Sequence, residues 1–466
     1  MQHVPLNPYH ETKNQSGQIL LLALVFMVVV MTAVGSLVGY AGLQIKAHRQ
    51  AVAAEQGLNI AEAGAELAIW KLNNQGGYSG EVNSSYGNGT YTVTITSLSG
   101  NTKLIKIDSY VPNVANPTAH RIIQITASIG TINLGFNYGV QVGDGGLDMS
   151  NSSKIVGNVY SDGDIVGRNS ASITGTAITA GAGTSISSIQ IDGNATSHTI
   201  SNTDVGGNVN AVSYSDGTVD GNAVVDSLSS CTVQGNATYD TKSSCNVNGT
   251  PTTPNPTNFV EPDSQPLPIT QDQIDAWQAE AVAGGTIGSQ SYSSGTVSLG
   301  PKKINGDLTI SNTATLTITG TLWVTGSINI LNSGIAQLSS TYGNLSGVIM
   351  AGTQGSTSAG AITIANSSQI LGSGTAGSYV LILSQMAGTT NTAIASSNTG
   401  SAGILYAGTG KINLSNSGHY KEVTAYFLDV NNTASVTYES GLASSQFSSG
   451  PAGGWEISKP SWQLLQ

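Results

Sequence analysis

Charge is what this sequence lacks most. Asp, Glu, Lys and Arg make up 9% of its 466 residues, where about 25% is usual. Arg49, Arg121 and Arg168 are its only arginines, and the formal net charge is −11. A nucleic-acid partner would require Lys and Arg against phosphate, so that class is excluded. Cysteine is nearly absent, with two residues, and a chain of this length needs no disulfide framework to fold. Also missing are a GxSxG elbow, a P-loop, an HExxH helix and any Cys or His at zinc spacing. His198 and His419 stand alone, and the acidic residues after Gly135 fall mostly singly at turns. The clearest acidic cluster, Ser161-Asp162-Gly163-Asp164, offers fewer than the roughly six to eight oxygens that Ca²⁺ takes, and it reads as a turn. Gly143-Asp144-Gly145-Gly146 reads as a loop, without the strand and helix of a nucleotide site. No catalytic, cofactor-binding or metal-ligating residue is assigned, no cofactor is expected, and the chain is not expected to be an enzyme.

What the sequence has instead is glycine, 58 residues, and an apolar fraction of 39%. Disorder goes with low hydrophobicity and high net charge; here the apolar residues are ordered into patterns.

The first pattern is a helix. Ile19 to Ile45 carries no charged residue, and roughly 20 apolar residues span a bilayer. A cleaved secretory signal has an apolar region of only about 7–15 residues. Gly35 and Gly39 form a GxxxG pair that would let helices approach closely. Beyond Lys46, His48 and Arg49, the residues Leu58, Ala61, Ala65, Ala68, Ile69 and Leu72 recur at spacings of three and four, the mark of an amphipathic helix. Gly57 and Gly64 weaken it, and Asn73-Asn74-Gln75-Gly76-Gly77 ends it. From Gln18 to Leu72 this is one helix, or two collinear pieces, about 80 Å long. Lys46 and Arg49 following the span favour a cytoplasmic C-terminus, but the downstream composition reads as extracytoplasmic, and that orientation is expected.

This layout resembles the type IV pilin family, in particular the N-terminal region of PilX-type minor pilins. The resemblance rests on the polar leader ending Lys13-Asn14-Gln15-Ser16-Gly17, the apolar run from Gln18, and Ala61-Glu62-Ala63-Gly64. It covers about the first 75 residues. It implies cleavage by prepilin peptidase between Gly17 and Gln18, and a helix that anchors the subunit and packs with other pilin-like subunits. Major pilins begin with Phe and carry Glu at the fifth mature position, where this chain has Gln18 and Leu22. A minor or non-polymerising role fits that departure.

After a Gly/Asn/Ser loop from Gly76 to Gly89, three segments alternate with β-branched residues as antiparallel strands do. They are Gly89–Thr96, Leu104–Val111 and His120–Ser128. Then repeats take over. The motif [I/V]-x-G recurs with its glycine at Gly157, Gly175, Gly193, Gly207, Gly221, Gly235 and Gly249, at steps of 18, 18, 14, 14, 14 and 14 residues. Stacked units of this kind would bury a continuous apolar column, as in a β-solenoid. Cys231 and Cys245 occupy the same place in successive units. Adjacent coils lie about 4.8 Å apart, within the reach of a disulfide, and a Cys231–Cys245 bridge is expected.

Six prolines from Pro251 to Pro268 read as an extended linker, and Thr270 with Gln273 forms a capping box for a helix to about Val282. A second repeat follows, apolar–polar–apolar strands ending at Asn312, Asn332, Asn366, Asn416 and Asn432, with the same form earlier at Leu147-Asp148-Met149-Ser150-Asn151. Stacked Asn side chains can bond as a ladder. Tyr379–Leu383 and Gly403–Ala407 read as strands buried on both faces, and Trp455 as a cap on the open end of the stack.

The expected fold is mainly β with one long N-terminal helix. It comprises a leader (1–17), a transmembrane pilin-like helix (18–75) and a small antiparallel head (76–134). A right- or left-handed β-solenoid (135–250), a Pro-rich linker with a short helix (251–285) and a second solenoid region with a C-terminal cap (286–466) follow. The expected function is a membrane-anchored, pilin-like surface protein that presents the solenoid for adhesion or pilus assembly. A self-assembling scaffold and a membrane-tethered carbohydrate-active enzyme are the alternatives. The expected partners are membrane lipid through residues 19–45, other pilin-like subunits, prepilin peptidase and a surface ligand.

Overall fold

The computed structural model describes residues 16–75, 78–99, 102–450, 454–458 and 461–465. Most of the expected leader lies outside them; its last two positions begin helix α1 (Ser16–Asn74). Along α1 the burial changes sharply. Residues 18–52 are exposed, and Ala53, Ile60, Ala61, Ala65, Ala68 and Leu72 are buried.

The buried stretch packs on an antiparallel sheet of β1 (Gly80–Tyr86), β2 (Gly89–Ser99), β3 (Thr102–Val111) and β4 (Ala119–Ile129). Alternation turns Ile105, Ile107, Ile123, Ile125 and Ala127 toward the helix. Gly57 and Gly64 cost α1 some propensity but let the sheet approach. A Cβ at Gly64 would lie 3.0 Å from both Tyr91 and Ile107, and the Gly57 carbonyl accepts from Ser109 Oγ at 2.6 Å. The Gly76–Gly89 segment, expected to be a loop, contains β1. It is a polar edge strand that lacks the apolar alternation by which β2–β4 are legible.

The sheet is completed from the other end of the chain. Trp455–Ile457 and Gln463–Leu464 pair antiparallel with β4. Trp455 therefore does not cap the solenoid. It is buried in the head core, with the Lys103 ammonium 4.9 Å from its ring centroid. The Asn73 side chain, at the end of α1, accepts from Trp455 N at 2.7 Å and donates to Trp455 O at 3.0 Å. The solenoid is thus inserted between β4 and the C-terminal strand of the head.

The two repeat regions form one stack of parallel strands, but not in sequence order. The chain enters in the middle at β6 (Val140–Met149) and winds outward to Pro251–Thr252. It then returns outside the stack and begins again at the opposite end with Thr286–Tyr292. From there it winds back until His419–Val430 docks on β6. Three apolar columns run unbroken through that junction, since Val423 pairs with Val140, Leu428 with Leu147 and Val436 with Ile155. One apolar core spans both regions. Leu147–Asn151, the copy of the second motif found in the first region, is the coil at which the halves meet. Gly143–Gly146, expected to be a loop, lies within β6 at a register shift opposite Ala425 and Phe427.

The region 140–252, the narrow half, has coils of 18 or 14 residues. Its [I/V]-x-G glycines are needed for close approach: a Cβ at Gly221 would lie 2.5 Å from the Gly207 carbonyl oxygen of the neighbouring coil. The region 286–437, the wide half, has coils of 16 to 34 residues. As expected, Val380–Ser384 is buried on both faces. Val380 and Ile382 face the stack core, while Leu381 and Leu383 face a second core outside it.

Candidate functional site: the exposed helix and the side-mounted stack

The first functional element is the exposed part of α1. It is the one helix among the described residues long and apolar enough to cross a membrane, with a mean hydropathy of 2.7 over its most apolar window. Phe26 and Met31 are more than two-thirds exposed, at 69% and 68%. Gly17, the predicted processing position, lies in the first turn of α1, and Gln18 is exposed. A Cβ at Gly35 or Gly39 would meet nothing within 4 Å, so this face of the helix is open to a neighbour.

The second element is the mount. β5 (Thr131–Leu134) leaves the head and pairs antiparallel with Ser445–Ser448 as the chain comes back. Helix α2 (Gln271–Ala283), with the expected Thr270–Gln273 capping box, packs beside them. Trp277, Phe136 and Phe447 join Leu381, Leu383 and Ile404 in the outer core. The head is therefore held against the flank of the wide half. Glu280 on α2 accepts from Thr321 Oγ1 at 3.0 Å. Burial, reinforced by the nearby Glu456, pushes its carboxyl above the usual range, against the Thr321 bond.

The third element is the return segment, which is a strap and not a free spacer. Asn255 reaches Val225 O and Asp226, and Glu261 pairs with His198. Ser264 donates to Asp162 at 2.8 Å, Gln141 donates to Gln265 O and Pro266 O, and Tyr406 donates to Ile269 O at 2.9 Å. These partners are spread along the stack from the narrow half into the wide half, so the strap ties the two together. His198, which stands alone in sequence, and Asp162 of the Ser161–Asp164 turn are strap anchors.

At the far end of the narrow half Cys231 and Cys245 form the expected disulfide across adjacent coils, with a Cα–Cα distance of 4.3 Å. The Asn ladder also forms, and it crosses the junction. Side-chain bonds of 2.8 to 3.1 Å link Asn332, Asn366, Asn398, Asn416, Asn432, Asn151 and Asn169 in that spatial order. Each of these Asn residues and the Ser or Thr after it has a positive φ, a region Asn tolerates better than most residues. Asn169 and Asn398 were not among the sequence candidates. The Asn-Ser/Thr dipeptide that all seven rungs share is the signal that would have found them.

One buried acid stands apart. Glu422 is 1% exposed; Thr424 donates to one of its oxygens at 2.6 Å, and the other has no partner. Burial raises its pKa well above the usual carboxylate value, against the Thr424 bond. Among the described residues no group of three or more His, Cys, Asp or Glu could hold a metal ion.

No protein-family model matches this chain, and no curated protein does either. Among solved structures, the competence-associated pilin ComZ from Thermus thermophilus aligns over 89% of this chain and 95% of its own, at 12% identity. The TM-score is 0.24, a superposition too loose to carry an argument.

Proposed function

We propose that this chain is a single-pass, pilin-like cell-surface protein of the PilX-type minor pilin kind. Its head holds a β-solenoid sideways for adhesion or pilus assembly. The observation that carries the reading is the division of α1. One continuous helix leaves residues 18–52 apolar and uncovered, then becomes the packing partner of an antiparallel sheet. Lipid or neighbouring apolar helices are the surroundings in which such a surface is stable. Prepilin peptidase, cutting after Gly17, and other pilin-like subunits are the partners that follow. The Cys231–Cys245 bond supports an extracytoplasmic solenoid, because disulfides persist in oxidising compartments. The role is structural and non-enzymatic.

The scaffold alternative finds less support at one end of the stack. The terminal coil of the narrow half carries Pro251 in its last strand, with Pro254 and Pro256 just beyond. Proline cannot donate to an added strand. Mass spectrometry of the N-terminal peptide of protein recovered from cell membranes tests the pilin-like reading. A mature start at Gln18 is expected, and an intact Met1 would overturn it.

A further inference from the structure

Where the strap crosses from the narrow to the wide half, it does not lie flat on the stack. Leu267 and Ile269 of the strap, Ile274 of α2 and Tyr406 of the stack wall a cleft of about 450 Å³. That is within the range of sites that enclose small molecules. Its walls are apolar, and its remaining side chains are uncharged amides and hydroxyls: Gln271, Gln354, Gln385, Ser384 and Thr409. No charged residue lines it.

Gln385 is the telling member. It is 5% exposed; its amide nitrogen, Nε2, makes one long bond to Gly352 O at 3.4 Å, and its Oε1 has no donor. A buried amide oxygen without a donor is unfavourable, and most such groups in folded proteins are paired. The neighbouring Ser384 hydroxyl is already committed to Gly360 O, and Tyr406 Oη to Ile269 O. Gln385 Oε1 is therefore the acceptor left over for a donor that enters the cleft. Space is kept by Gly408, where a Cβ would come 2.7 Å from Tyr406 Oη and 3.0 Å from Leu267 Cδ1. Any larger residue there would close one wall.

We propose that this cleft binds one neutral sugar residue, a hexose or N-acetylhexosamine unit of a glycan. Such a ring presents an apolar C–H face to Leu267, Ile269 and Ile274. Its hydroxyls donate to amide oxygens, with Gln385 Oε1 first among them, and accept from the amide of Gln354 at the rim, the Gln271 amide being already bonded to Asp275. The absence of lining charge selects against uronic acids and sugar phosphates, whose anion would be desolvated without a cation. The inference deepens the surface-adhesion reading by assigning the class of ligand.

Ligand-observed saturation-transfer NMR on the full chain, in a detergent without a sugar headgroup, tests it with glucose, galactose, mannose, N-acetylglucosamine and glucuronate. At least one neutral sugar is expected to bind in the millimolar range, with glucuronate weaker by about tenfold or more. Thr409 and Gln354 are exposed at the rim, so Thr409→Arg obstructs the mouth without touching the core. It should abolish the transfer while circular dichroism and the melting temperature stay unchanged. Gln385→Leu should weaken binding as well. Transfer to none of the neutral sugars, or equal transfer in Thr409→Arg, overturns the inference. Neither result bears on whether the mature chain begins at Gln18, which tests the anchoring separately.

Discussion

The two halves of the solenoid share one core yet are built differently. In the narrow half each coil is short, its inward residues are mostly Ile, Val and Ala, and its outer surface is mostly polar. In the wide half, Leu381, Leu383, Ile404 and Tyr406 point outward as well and are covered by α2, β5 and the returning C-terminal segment. The narrow half needs its neighbours along the stack and carries only the polar strap on its outside; the wide half needs a second apolar layer. The difference teaches where such a fold can be carried. A head is attached where coils offer an apolar outer face, and coils without one are left to project.

Three changes test that contrast. Trp277→Ala has the largest expected effect. The ring is 1% exposed and packs 6.3 Å from Phe447, and removing such a side chain costs about 3–5 kcal/mol. Hydrogen exchange should show protection lost from α2, β5 and residues 445–448 while residues 140–200 keep theirs. Equal loss in both halves would break the distinction between them.

The double change Cys231→Ser with Cys245→Ser comes next. Closing a loop of 14 residues contributes about 3 kcal/mol by the chain-entropy account. Because this bond clamps terminal coils, faster exchange is expected across residues 231–252 only. Spread of the effect into the wide half would show that the stack unfolds as one unit.

Glu422→Gln has the smallest effect and a definite sign. With its folded pKa raised well above the usual 4.5, Glu422 stays protonated in the folded chain while the unfolded chain ionises. Its contribution is complete below pH 4.5 and is lost as pH rises above it. The variant should match the parent near about pH 4 and melt on the order of a few degrees higher near about pH 8. Parallel melting curves at both pH values would remove Glu422 from the outer layer's pH response.

Much of this was legible because it is periodic. The 14-residue step placed each Val of the motif over its counterpart and brought Cys231 to Cys245. The helix was legible through the uncharged run and the Ala61, Ala65, Ala68 spacing. Strand β1 was not, because a polar edge strand has no apolar alternation. The cleft was not, because Gln271, Gln354, Gln385 and Tyr406 are scattered over about 135 positions and none belongs to a motif.

By itself, the sequence determined the elements whose information is local or repeated: the apolar helix, the 18- and 14-residue steps of the narrow half, most of the Asn corners and the disulfide. A repeat specifies contact with the next coil, and that contact is the same wherever the coil stands. Only the tertiary structure decided the order of the halves, since parallel coils with matched columns can stack in either order. The return of the strap settled it, bringing His419–Val430 onto β6. Tertiary structure also sent Trp455 back to the head, where one sheet edge and the Asn73 side chain awaited a strand.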